Sequence, residues 1–178
     1  MSIYRTSVIR TTAALLTAIA AVFAFAGSIH AHGGARIEVQ DKCDPATFNA
    51  VLGPGVCVGD GDVTFAEFLE EVNPKDGGHG AWRNSRRSLT IDAGDVVHVV
   101  NTGGEPHTFT EVANFGAGIV PELNHALRPG TPPAVPVEPV TLLFPGQSQH
   151  LRNLSVGTHR YECLIHPWMR TVVTVERD

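Results

Sequence analysis

The sequence contains few charged residues and no cluster of basic ones. Of its 178 residues 17% are charged, with 13 Lys or Arg against 18 Asp or Glu, so the formal net charge is -5. Proteins that bind nucleic acid usually display a basic patch, so we expect no nucleic-acid partner and no strong charge-driven membrane binding. The chain is 43% hydrophobic, which is too apolar for disorder, and its 18 Gly and 12 Pro favour one loop-rich, all-β domain with an extension.

Cysteine is also scarce, and the count of three is odd. In an exported protein an odd count leaves one thiol without a partner. Cys43 and Cys57 would form a metal pair only with more donors nearby, and the segment between them has no histidine. We therefore expect a disulfide closing a loop of about 15 residues, which contributes about 3 kcal/mol in the chain-entropy description. Cys163 is then the thiol that needs an explanation.

The first 31 residues predict a secretory signal peptide. Two arginines precede an apolar run at 12–26, and small residues follow it. The run has about 15 apolar residues, fewer than the ~20 of a membrane-spanning helix, which favours cleavage over retention as an anchor. No twin arginine precedes it, so the general secretory route is expected. Cleavage after Ala26 or after Ala31 fits equally, and either gives a periplasmic or secreted protein in an oxidising compartment, without a membrane span.

Residues 32–80 predict an N-terminal extension with short helices. Asp44-Pro45 marks the start of the first helix, and Gly-Pro-Gly from Gly53 marks its end. Thr64 and Glu67 have capping-box spacing, and apolar residues recur at helical intervals behind them, which predicts a second helix over about 63–72. The apolar stripe of this helix must be covered, so the extension is expected to pack on the main domain. Whether it covers the functional site or the far end of the domain stays open.

Residues 60–68 resemble the second half of an EF-hand loop. In that alignment Val56 and Val58 stand where the first two oxygen ligands are required, so a hard divalent cation would lack half of its ligands. We do not expect calcium binding. Asp62 and Thr64 are interpreted instead as helix-capping residues.

Residues 81–178 predict short strands separated by turns. Gly and Pro are frequent between 114 and 139, where no periodicity is visible, and loops of that length are often functional. Six or so strands at such intervals favour a β-sandwich. The predicted strands cover 88–92, 96–101, 107–112, 142–144, 149–154, 158–163 and 171–176.

A tight loop after the strand 158–163 carries metal-ligand chemistry. Cys163, His166 and Met169 supply a thiolate, an imidazole and a thioether at intervals of three residues. Two His and one Cys with a weak axial Met are the donors of blue-copper electron-transfer sites, so a second histidine is required. His107 fits best because it opens a strand directly after the turn at 103–106. The candidates are His79, His98, His107, His125, His150 and His159.

The C-terminal half resembles the plastocyanin/azurin family of cupredoxins, and the HPWM segment at 166–169 is similar to the ligand loop of amicyanin-type members. The resemblance covers about 81–178. It implies a Greek-key β-sandwich that binds one copper ion, with His107, Cys163 and His166 as in-plane ligands and Met169 as the axial ligand.

The chain departs from the family pattern at two points. Many members have Asn directly after the first histidine, where it helps to tie the two ligand loops together, but this chain has Thr108. The interval from His107 to Cys163 is also longer than in compact members. Both changes put the fine tuning of the site in doubt, and neither removes a ligand.

The resemblance implies a monomeric carrier of single electrons between extracytoplasmic protein partners, with no catalysis of its own. An apolar patch at Pro167 and Trp168 on an exposed loop, with the edge of His166, is the expected point of electron entry. One alternative is a copper carrier or chaperone on the same fold. Another is a domain of a multicopper oxidase or nitrite reductase, but such enzymes typically need several His-x-His pairs, and this sequence has one, His30 and His32.

Overall fold

Two four-stranded sheets make up the body of the protein in a computed structural model, which describes residues 34–75 and 77–177. The predicted signal peptide at 1–31 lies outside the described residues, and so does the pair of His30 and His32. In the described ranges no helix is both long and apolar enough to cross a membrane. In chain order the elements are β1 Gly34–Gln40, α1 Pro45–Leu52, α2 Phe65–Glu71, β2 Arg83–Asn84, β3 Ser88–Asp92, β4 Val96–Asn101, β5 His107–Thr108, β6 Thr110–Glu111, the 3-10 helix Pro121–Ala126, β7 Leu142–Leu143, β8 Ser148–Leu151, β9 Gly157–Glu162 and β10 Arg170–Glu176.

The core lies between the two sheets. The first sheet has the strand order β2-β1-β4-β8 and the second β3-β10-β9-β6, while β5 and β7 form a separate two-stranded pair. Val97 and Val99 of β4 are buried and alternate with more exposed residues, as do Val173 and Val175 of β10. Because successive side chains of a strand point to opposite faces, this alternation buries one face of each sheet. The buried side chains of both sheets join one hydrophobic cluster, which confirms the all-β sandwich.

Two differences from the predicted strands affect the surroundings of His107. Gly34–Gln40 forms a strand that the sequence analysis missed, and it pairs in parallel with β4 along six residues, so this part of the extension belongs to the sandwich. The strand expected over 107–112 is divided at Phe109: β5 pairs with β7, and β6 pairs with β9 of the second sheet. His107 therefore lies where the chain passes to the second sheet.

Both predicted helices form, and their caps are those expected. The Asp44 carboxylate accepts the backbone N–H of Thr47 at 2.8 Å, and α1 ends at Gly53, whose φ of 111° suits glycine. Thr64 and Glu67 form the reciprocal capping box of α2. Thr64 is the N-cap of α2, and Asp62, which was expected to share this role, lies two residues before it.

The disulfide between Cys43 and Cys57 is present and buried. It holds the start of α1 to the segment that follows the helix, and this segment packs directly on the turn before His107. A Cβ on Gly104 would overlap the carbonyl oxygen of Val58 and approach the sulfur of Cys43 to 2.8 Å. A glycine is required at Gly104 because the disulfide loop and the turn are in van der Waals contact.

Candidate metal centre

Three buried donor atoms converge between β5 and the loop that joins β9 to β10. The sulfur of Cys163 lies 3.7 Å from Nδ1 of His107 and 3.8 Å from Nδ1 of His166, and the two nitrogens are 3.2 Å apart. The point equidistant from the three atoms is about 2.1 Å from each. Zinc ligands lie at about 2.0–2.1 Å for His nitrogen and about 2.3 Å for Cys sulfur, so a transition-metal ion fits between these donors.

The loop from Cys163 to Met169 is closed by its own backbone. The N–H of Met169 donates to the carbonyl of His166 at 2.9 Å, and the N–H of Cys163 donates to the carbonyl of Met169 at 3.0 Å. Met169 is buried in the core cluster at the end of this loop. The structure thus brings His107, Cys163 and His166 together and buries Met169 at the end of the same loop.

Thr108 ties the two ligand segments together. Its N–H donates to the sulfur of Cys163 at 3.3 Å, and its hydroxyl oxygen accepts the N–H of Leu164 at 2.8 Å. Its hydroxyl also donates to the carbonyl of Glu162 at 3.4 Å. The threonine therefore links the segments on both sides of Cys163 to β5, at the position where the resemblance led us to look for asparagine.

The surroundings of Cys163 favour the ionised form of its thiol. Burial by itself would raise its pKa, but hydrogen bonds and the charges of His107 and His166 hold the pKa of Cys163 well below its usual range. The N–H of Thr108 also stabilises the anion. Because the thiolate is the form of cysteine that binds metals, the site favours the state that ligation needs.

A fully buried carboxylate from the extension holds His107. Asp41 lies between β1 and Cys43, and its Oδ2 is 2.8 Å from Nε2 of His107. Its two oxygens also accept the N–H groups of Cys43, Gly104 and Glu105 at 3.0–3.1 Å. With Nε2 engaged, Nδ1 is the nitrogen left to bind a metal, as in the carboxylate–histidine–metal arrangement. Sequence reasoning missed Asp41, since no local pattern connects it to a histidine 66 residues later.

The carboxylate also changes the protonation of the imidazole. Burial would lower the pKa of His107, but its hydrogen bonds to Asp41 and Cys163 and their negative charges raise the pKa to about 9. Burial would raise the pKa of Asp41, and its hydrogen bond and attraction to His107 lower it below the ordinary value. Both directions show that a positive charge at this position is stabilised by the surrounding anions.

A second buried acid lies behind His166. Oε2 of Glu105 is 3.7 Å from Nε2 of His166 and accepts the indole N–H of Trp82 at 2.6 Å. Burial raises the pKa of Glu105 above its ordinary value, although the charge of His166 opposes the shift. Asp41, Glu105 and Cys43 form a second cluster of donor atoms. Cys43 is in a disulfide, so this cluster offers no thiolate. Its two carboxylates contact the histidines of the first cluster instead.

Aromatic side chains cover His166, which is only 2% exposed. The ring centroids of Phe68, Trp82 and Trp168, here called the aromatic cover, lie 6.2, 6.4 and 5.5 Å from that of His166. The indole N–H of Trp168 donates to the carbonyl of Trp82 at 3.1 Å. The expectation of an exposed His166 edge is wrong, because helix α2 and Trp82, which sequence analysis did not connect to the site, pack over the loop.

The loop over 114–139 also packs on the ligand loop. The N–H of Ile119 donates to the carbonyl of Leu164 at 2.7 Å. The fully buried carboxylate of Glu162 accepts the N–H of Gly116 at 3.2 Å and Nε of Arg170 at 2.9 Å. Arg170 also donates to the carbonyl of Gly116 at 3.2 Å. The long loop thus holds both ends of the ligand loop in place.

Of the six candidate histidines, His107 is the one that the structure brings to Cys163 and His166 within the described ranges. His79 contacts Glu71 at 3.3 Å and stacks on Phe68. His125 is exposed in the 3-10 helix. The remaining three lie on strands, where His98 stacks on His150 and His159 contacts Glu111.

The contact of His159 with Glu111 gives a pH-dependent stability. Burial would lower the pKa of His159, but hydrogen bonds to the Ser155 carbonyl and the Glu111 carboxylate raise it above the ordinary value. A raised pKa in the folded state stabilises the fold below about pH 6.5, and this contribution is lost as the pH rises through the folded pKa. We expect the wild type to exceed His159→Gln in free energy of unfolding by a larger margin at about pH 5.5 than at about pH 9. Urea unfolding measures both margins, and equal margins would contradict the assignment.

No protein-family model and no curated protein matches the chain. Among solved structures, the purple cupredoxin from Nitrosopumilus maritimus is similar over 80% of this chain and 99% of that one, with 20% identity and a TM-score of 0.45. A mutant of amicyanin in its reduced Cu(I) form at pH 4 shares 26% identity over 53% of this chain and 73% of its own, with a TM-score of 0.37. An oxidised amicyanin mutant shares 16% over 84% and 88%, with a TM-score of 0.41.

Proposed function

We propose that this protein is a mononuclear copper protein that carries single electrons between protein partners in an oxidising compartment outside the cytoplasm. The convergence of the Cys163 sulfur and the Nδ1 atoms of His107 and His166 around a space of metal size carries the proposal. These three residues and Met169 would hold the ion, since two histidines, one cysteine and one methionine are the donor set of type 1 copper. When bound, copper would supply a one-electron couple between Cu(I) and Cu(II).

The residues around the donors would keep the site nearly unchanged as an electron arrives or leaves. Asp41 fixes the ring of His107, and Thr108 fixes Cys163 through two backbone segments. The loop containing His166 is closed by its own hydrogen bonds. A rigid set of donors limits the rearrangement that each electron transfer requires, whether or not that rigidity amounts to strain.

The aromatic cover leaves His166 only 2% exposed, and an apolar cavity lies beside it. A cavity of about 590 Å³ is lined mainly by apolar side chains of α1, α2 and the segment 120–123, and His166 is among its lining residues. We propose this cavity as the point of electron entry. It replaces the exposed loop that was expected from the sequence. An electron that enters from this cavity would reach His166 directly or through the ring of Phe68, which lines the cavity and packs on the imidazole.

The burial of the donors favours a resident ion over a transported one. Cys163 and His107 are fully buried and His166 nearly so, and an ion released to another protein would first need the aromatic cover to move. A copper carrier is therefore our second candidate. We propose no bond-making catalysis for the chain.

The deciding experiment adds Cu(II) to the purified protein and records the visible spectrum and a voltammogram. We expect an intense thiolate-to-copper band and a reversible wave. Cys163→Ser should abolish the band, because the serine hydroxyl supplies no thiolate to the metal. Met169→Leu should keep the band and raise the potential. A colourless protein that holds Cu(I) or zinc, or equal loss of the band in both variants, would overturn the proposal.

A further inference from the structure

Two histidines face each other on the outer surface of the first sheet. His98 of β4 and His150 of β8 are direct partners in the antiparallel register. Their ring centroids are 4.6 Å apart and their planes differ by 13°. Val97 and Val99, on either side of His98, point into the core, so the two imidazoles are on the opposite face. His150 is exposed on the edge strand of the sheet.

The ring nitrogens of this pair are available to a ligand. Within the described part of the chain, stacking on each other is the one interaction that these two side chains make. No protein group there forms a hydrogen bond with their ring nitrogens. The histidines His79, His107 and His159 differ, since each has a carboxylate at 2.8–3.3 Å. A pair of imidazoles without hydrogen-bond partners is held side by side by the strand register.

We propose that His98 and His150 form a surface site for one late first-row divalent ion, with Cu(II) bound most tightly. Imidazole suits copper, nickel and zinc, and the general affinity order of such ions reaches its maximum at Cu(II). Side chains directly opposite on antiparallel strands have Cβ atoms about 4.5–5.5 Å apart, which two metal–nitrogen bonds of about 2.0–2.1 Å can bridge. The exposed ring of His150 turns from its stacked position so that one nitrogen of each ring meets the ion, and water completes the coordination.

The neighbouring charges permit this site and limit its affinity. Arg36 of β1 is the register partner of His98 on its other side. Its Nε donates to the Glu38 carboxylate at 3.0 Å, which offsets part of the guanidinium charge. The protein would supply nitrogen ligands and no sulfur, and the ion would be open to water. A Cu(II) ion there would lack a sulfur-to-copper band, so it is distinguishable by spectroscopy from an ion at Cys163.

The test titrates Cu(II) into full-length protein that already holds one equivalent of copper, with binding followed by calorimetry and electron paramagnetic resonance. His30 and His32 are replaced by alanine in every sample, because this second pair could also bind Cu(II). We expect a second equivalent whose resonance has the large copper hyperfine splitting of nitrogen and oxygen ligands. His98→Ala and His150→Gln should each weaken its binding by roughly tenfold or more, since each removes one of two ligands.

The controls separate this site from the buried one. His125→Ala removes an exposed histidine elsewhere and should leave the second equivalent unchanged. Cys163→Ser should still bind Cu(II) at His98 and His150, so failure of the buried site does not affect the result. Retention of the first copper signal in the two variants shows that they are folded. The absence of a second equivalent, or its unchanged binding in both His98→Ala and His150→Gln, would overturn the proposal.

Discussion

Asp41→Asn should weaken copper binding by about 10- to 100-fold, the usual consequence of removing a group that holds a metal ligand in place. The carboxylate accepts Nε2–H of His107 and three backbone N–H groups in a site closed to solvent. An asparagine of the same size has one acceptor oxygen, so its amide N–H₂ must face at least one of these donors. The loss of negative charge also makes Cu(II) less stable relative to Cu(I), so the reduction potential should rise.

Competition with a chelator of known affinity measures the first effect, and voltammetry measures the second. Asp60→Asn is the matched control, because Asp60 is an exposed acid of the same extension, three residues beyond the disulfide-bonded Cys57. Its copper affinity and potential should equal those of the wild type. If Asp41→Asn also binds copper as the wild type does, the carboxylate has no part in holding His107.

Phe68→Ala should strongly lower the free energy of unfolding and should open the metal centre to water. The ring of Phe68 is 3% exposed, with centroid distances of 5.6 Å to Phe48, 4.5 Å to Trp82 and 6.2 Å to His166. Replacing a buried phenylalanine with alanine usually costs 3–5 kcal/mol, so we expect about that loss in free energy of unfolding. The space left beside His166 should also let a chelator remove copper faster than from the wild type.

Denaturant unfolding and the rate of copper loss to excess chelator test these two effects. Leu69→Ala is the control on the same helix, since Leu69 is 50% exposed and an exposed substitution usually changes stability by less than about 0.5 kcal/mol. An unchanged rate of copper loss in folded Phe68→Ala would show that the aromatic cover does not protect the site.

The features that the sequence predicted well are local ones. Cys163, His166 and Met169 lie within seven residues, so their spacing alone indicated a shared loop, and the turn at 103–106 indicated the strand that His107 opens. The caps of α1 and α2 were recognisable for the same reason, because a cap involves residues three apart.

The features that it missed join distant parts of the chain. The strand β1 pairs in parallel with β4, which follows about 60 residues later in the sequence. Parallel strands are not joined by a hairpin turn, so no turn motif indicates this pair. Asp41 and Trp82 contact the site through residues far away in the sequence, so their roles depend on the tertiary fold. Whether the extension covered the site was open at the level of sequence, and the packing of Phe68 on His166 answers it.

The parallel pairing of β1 with β4 also determines which stretch of this chain could be moved into another protein. β1 is an inner strand of the first sheet, and Asp41 follows it directly. A transplant beginning near residue 81 would keep all four residues assigned as ligands, yet it would lose an inner strand, the acid behind His107 and the Phe68 part of the aromatic cover. The smallest portable unit therefore begins at Gly34, and gene fusions at the amino terminus should join the chain before this residue.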